Sequence, residues 1–133
     1  MKRFISLTIT LLMILILISC TSKNDIKKLN YEGISDNWKV SIEFNTSGDS
    51  KIFIRYIGNS TIPKKINFDF EHLSKNISSG DCEYSKTLDG FNIVFPNDDK
   101  LNDNIEKYND KKTLNITIKW DQQNEKIELQ RVK

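Results

Sequence analysis

Apolar and polar residues alternate along most of this chain. In WKVSIEF, residues 38–44, Trp38, Val40, Ile42 and Phe44 share one face, and Lys39, Ser41 and Glu43 share the other. Leu114, Ile116, Ile118 and Trp120 do the same against Asn115, Thr117 and Lys119. Successive side chains of a strand point to opposite faces, so a period of two predicts half-buried strands. KIFIRYI, residues 51–57, is apolar on both faces and predicts a more central strand. Ile66, Phe68 and Phe70 repeat the alternation. FNIVF, residues 91–95, follows the turn signal Asp89-Gly90, with residues 82–88 as its partner. Residues 125–132 close the chain with Ile127 and Leu129 inward. Gly, Asn, Ser and Pro clusters at 45–50 and 58–63 separate strands, and residues 121–124 join the last two as a hairpin.

One stretch breaks the rhythm. In residues 97–112, Leu101, Ile105 and Tyr108 recur at i, i+4 and i+7 behind Asp98 and Asp99. That spacing predicts a short amphipathic helix with an acidic first turn, or a loop. Six or seven short strands with regular turns predict an all-β domain over residues 31–133, an antiparallel immunoglobulin-like β-sandwich. An open barrel is the alternative.

The first twenty residues obey a different rule. Lys2 and Arg3 precede a run, residues 4–19, without a charge. It is short for a spanning helix, which needs about 20 apolar residues. A basic start, an apolar centre and a small residue at the boundary describe a signal peptide over residues 1–19. LISC, residues 17–20, resembles the lipobox of bacterial lipoproteins. The resemblance implies a diacylglyceryl thioether on Cys20 and cleavage between Ser19 and Cys20. Ser19 stands where Ala or Gly is more usual. One acyl chain binds a bilayer marginally and two anchor it, at about 0.8 kcal/mol for each buried CH₂. Residues 20–30, polar and without period, then read as the lipidated cysteine and a flexible tether.

Removing the signal changes the charge. The whole chain has 20 basic and 18 acidic residues; Lys2 and Arg3 lie in the signal, and every acidic residue follows Cys20. The remainder is formally neutral. Its arginines are Arg55 and Arg131 alone, which argues against nucleic acid as a partner. Cys82 is the one thiol left, so no internal disulfide can form.

YEGISDNW, residues 31–38, places an aromatic before Gly-x-Ser-x-Asn-Trp at the entry to the first alternating strand. This resembles small uncharacterised lipoproteins of Gram-positive bacteria, chiefly bacilli. Trp120-Asp121 followed by a last strand fits the same group, while residues 97–112 are longer and more acidic than its pattern. The resemblance implies an extracytoplasmic location and a β fold, and no activity. Read from the residues themselves, Gly33 and Ser35 serve a turn and Trp38 begins the core.

Candidate chemistry is sparse. His72 is the only histidine and has no nucleophile context around Ser74, Ser78 or Ser79. Cys82 sits beside Asp81 and Glu83, which oppose thiolate formation. Asp98, Asp99 and Asp103 supply hard oxygen ligands and are the candidates for a metal. Their loop lacks the spacing and the glycine of a calcium-binding loop, and Lys100, Lys107, Lys111 and Lys112 interleave. Four glycosylation sequons in an Asn-rich chain carry no weight. No convergent acid, base and nucleophile is visible. The expectation is a non-enzymatic lipoprotein without a cofactor, anchored at the outer face of the bacterial cytoplasmic membrane. It would bind an envelope protein or peptide. The alternative is a ligand-sensing or calcium-binding accessory domain that uses the acidic 97–110 stretch.

Overall fold

The computed structural model describes residues 28–71 and 79–133. Eight strands and one helix follow in chain order: β1 (Lys28–Ile34), β2 (Trp38–Asn45), β3 (Ser50–Tyr56), β4 (Lys65–Phe70), β5 (Ser79–Glu83), β6 (Phe91–Phe95), α1 (Asp99–Tyr108), β7 (Thr113–Trp120) and β8 (Gln123–Val132). All pairings are antiparallel, and the strands form one sheet in the order β5-β4-β7-β8-β1-β2-β3-β6.

That sheet is curled, not flat. Strands lie about 4.8 Å apart, so a flat sheet would separate its ends, β5 and β6, by about 33 Å. The seven residues between them, 84–90, reach at most about 25 Å. Moreover, Ser85 and Gly90 pair directly: the Ser85 N–H donates to the Gly90 carbonyl at 2.9 Å and the Gly90 N–H to the Ser85 carbonyl at 3.3 Å. The ends therefore meet, and the sheet is nearly closed into a barrel. The all-β, antiparallel reading holds, but the two-sheet sandwich gives way to one curled sheet. Alternation reports which side chains face inward; it does not say whether the inward faces belong to two sheets or to one. The extra strand is β1, which takes in Lys28, Leu29 and Asn30, assigned to the tether by their polar context.

The interior is filled by side chains. Tyr31, Trp38, Val40, Ile54, Phe91, Ile116, Ile118 and Leu129 have no exposed surface, so no water fits beside them. Trp38 centres an aromatic cluster at one end, meeting Tyr56, Phe91 and Trp120 edge-on with ring centres 5.0, 5.8 and 5.1 Å away. Such contacts add about 0.5–1.5 kcal/mol each beyond burial.

α1 closes the other end. Asp98 is its N-cap, accepting from the Leu101 N–H at 2.6 Å. Leu101, Ile105 and Tyr108 are buried, and the Tyr108 ring stacks on Phe44 at 6.3 Å. The Tyr31 hydroxyl donates towards the carbonyls of Tyr108 and Lys111, at 3.1 and 2.9 Å. It ties the helix C-terminus to β1, where carbonyls lack helical partners. Burial raises the Tyr31 phenol above its ordinary pKa, partly offset by Arg131, so it stays a donor.

Candidate functional site

The YEGISDNW segment is the most distinctive motif, and its residues converge on the β1–β2 turn. The Ser35 N–H closes the turn on the Trp38 carbonyl at 2.8 Å. Asn37 donates from its amide side chain to Glu125 Oε2 at 3.0 Å and from its backbone to Glu125 Oε1 at 3.4 Å. Its carbonyl accepts from the Ile57 N–H at 2.8 Å. One asparagine thus links β1, β2, β3 and β8. Partial burial pushes the Glu125 carboxyl pKa up, but hydrogen bonds from Ser35, Asn37 and the Asp36 backbone outweigh it, and the net shift is downward. Gly33 lies within β1 and not in a turn. A Cβ there would come within 2.6 Å of Leu129 Cδ2 and 2.7 Å of the Glu128 carbonyl oxygen. The motif therefore holds strands together, and its residues are occupied by one another.

The residues with candidate chemistry are dispersed. Ser19, Cys20 and His72 lie outside the described residues. Asp98 spends its carboxylate on the α1 cap, while Asp99 and Asp103 stand exposed on the helix. Among the described residues, no three His, Cys, Asp or Glu side chains gather as a metal site. Cys82 faces inward on β5 and is half-buried; its Sγ lies 3.7 Å from the carbonyls of both Glu83 and Asn92. Burial is the main cause that pushes its thiol pKa up, and Glu83 adds to it. Among the described residues no helix is long and apolar enough to cross a membrane.

What the fold does assemble is a concave patch on the outer face of β1, β2, β3 and β6. Register places Glu32 beside Ser41, Ser41 beside Phe53 and Phe53 beside Asn92, a row crossing four strands. A depression of about 590 Å³ is lined by these four together with Glu43 and Lys51. A smaller one of about 200 Å³ adds Lys39 and Arg55. Phe53 is half-buried although its strand turns it outward. Its ring leans on Gly90, where a Cβ would lie only 2.7 Å from Phe53 Cζ, and the Arg55 guanidinium sits 5.6 Å from the ring centre. Gly90 thus follows a positive-φ Asp89 and is itself needed for the close approach of that ring. An aromatic ring amid both signs of charge, a hydroxyl and an amide suits recognition of a mixed polar and apolar surface. Residues 51–57 are apolar on both faces of the strand, a pattern that does not single out Phe53, and the row around it depends on register.

Comparison with protein-family models, curated proteins and solved structures finds no match to this chain.

Proposed function

We propose that this chain is a lipid-anchored extracytoplasmic binding module, without catalytic chemistry of its own, whose contact surface is the outer face around Phe53. On this reading residues 1–19 are removed, Cys20 carries the lipid, and the barrel hangs from a short tether at the outer face of the cytoplasmic membrane. The observation that carries the binding role is the concave patch itself. A half-exposed ring is framed by Glu32, Lys39, Ser41 and Arg55 on the outer face of the sheet. The location rests on the resemblance of residues 17–20 to a lipobox.

A photo-crosslinking residue at position 53, in the chain expressed in its own envelope, tests the binding role. The same residue at Lys119, outward on β7, is the control. The expected result is a light-dependent adduct at 53, absent at 119 and weakened by Arg55→Ala. Equal labelling at both positions, or none at 53, contradicts the proposal. Replacing Cys20 by Ser tests the anchor: the native chain should incorporate labelled fatty acid and the Cys20→Ser chain should not, and labelling that persists without Cys20 would overturn it.

A further inference from the structure

The meeting of β5 and β6 is incomplete, and the hydrogen-bond pattern shows where it stops. In an antiparallel ladder, alternate residues of a strand bond to alternate neighbours. Tyr84 N–H bonds the Lys64 carbonyl at 2.9 Å, so Tyr84, Cys82 and Gly80 turn their backbone groups to β4. Ser85, Glu83 and Asp81 turn theirs to β6. On the facing side Gly90 bonds Ser85, so Asn92 and Val94 turn theirs to β5, while Phe91, Ile93 and Phe95 serve β3. Extending the Ser85 and Gly90 register would pair Glu83 with Asn92 and Asp81 with Val94. Neither pair forms. The Cys82 thiol lies where the ladder stops, within 3.7 Å of the two seam-facing carbonyls of Glu83 and Asn92. Beyond it, towards Ser79 and Phe95, both edges are unpaired among the described residues.

The seam is also where the core is left uncovered. Apart from Tyr56, inward apolar side chains elsewhere in the barrel are buried almost completely, but Cys82, Tyr84, Ile93 and Phe95, which flank the seam, are only half-buried. Natural edges are usually guarded by charge or proline. β6 (FNIVF) has neither within its span, Pro96 stops the edge at the next seam-facing position, and Val94 is 45% exposed on its outer side. On the opposite lip Glu83 is exposed on the outer side of β5, and so is Asp81, whose carboxylate already pairs with Lys65 Nζ at 2.9 Å and accepts from Asn67 at 3.1 Å.

We propose that the seam between β5 and β6 is an acceptor for an extended peptide segment of a partner protein, which adds as a strand to the free edge of β6. Its seam-facing backbone pairs with Val94 and Asp81. Its inward side chains are apolar and cover Ile93 and Phe95. Its outward side chains are basic and face Glu83, next to an Asp81 that already shares its charge with Lys65. The Cys82 thiol marks the inner limit of entry. Main-chain bonds supply the affinity and the alternating side chains the selectivity, as in other strand-addition complexes. This goes beyond the role of the Phe53 face and does not depend on it or on the anchor.

The test uses the full chain in detergent micelles with synthetic peptides of about seven residues, alternating Lys with Val or Glu with Val. The Lys/Val peptide should bind saturably and at least about tenfold more tightly than the Glu/Val peptide. On binding, the amides of Asp81 and Val94 should gain protection from hydrogen exchange. Val94→Pro removes only a seam-facing N–H, so it should lower affinity by about tenfold or more with an unchanged melting temperature. Val94→Ala should retain affinity, and Glu83→Lys should narrow the preference for the basic peptide. The proposal is overturned if Asp81, Asn92 and Val94 are already protected in the free chain, which would mean a zipped barrel. It is equally overturned if the Lys/Val peptide does not bind, if Val94→Pro binds it as well as Val94→Ala does, or if the seam is taken by a second copy, seen as a concentration-dependent dimer that Val94→Pro dissolves.

Discussion

At the residue scale, the motif of residues 31–38 turns out to be scaffolding with a distinct job for each position. Tyr31 holds α1, Gly33 admits β8, Ser35 closes the turn, and Asn37 recruits Glu125. Gly33→Ala should therefore destabilise the fold by about 1–3 kcal/mol, because the added methyl meets the β8 backbone oxygen as well as a flexible leucine. Thermal unfolding will measure it. Glu125 gives a pH dependence whose sign is fixed. Its folded pKa lies below its unfolded one, so the stability it contributes is full above the unfolded value and is lost as pH falls through the folded value. The melting-temperature gap between the native chain and Glu125→Gln should be steady from about pH 7 to 5 and should shrink below about pH 4. A gap that persists to about pH 3 would contradict this role. Sequence pattern marked these residues as unusual and could not assign their partners. Glu125 lies 88 positions from Asn37 and comes beside it only through β1–β8 pairing.

At the element scale, the strands were legible because burial on one face imposes a period that survives in the residues. The helix was legible for the same reason, and Asp98 adds its cap. Asp98→Ala should cost about 1 kcal/mol by freeing the Leu101 N–H. In a domain of this size that lowers the melting temperature by about 4–8 °C. The turn between β7 and β8 was legible only in position. Trp120 pairs with Gln123, which leaves Asp121 and Gln122 as a two-residue turn with φ of 42° and 63°. Both lie in the left-handed region, which glycine enters without penalty and other residues do not. Gln122→Gly should raise stability by about 0.5–1 kcal/mol, an increase that chemical denaturation can resolve. A loss would show that the Gln122 side chain contributes more than its backbone costs.

At the scale of the whole molecule, the curl of the sheet was hidden from the sequence, since strand order is set by long-range pairing. β1 illustrates this. Its outward residues Lys28, Asn30 and Glu32 are polar and its glycine looks like a turn, yet it sits at the centre of the sheet between β8 and β2. The outer patch and the seam both follow from that order, as neither Phe53 beside Ser41 nor Glu83 opposite Asn92 can be read along the chain. On the proposed reading, the filled interior leaves recognition to the outside of the barrel, where a tethered domain would meet its surroundings. The proposed role at the membrane surface depends on the body being carried by lipid at Cys20. Mass spectrometry of the protein recovered from its native membranes tests it most directly. The account predicts an amino-terminal peptide that begins at Cys20 and bears diacylglycerol on the sulfur. A peptide that retains Met1, with Cys20 unmodified, would contradict it.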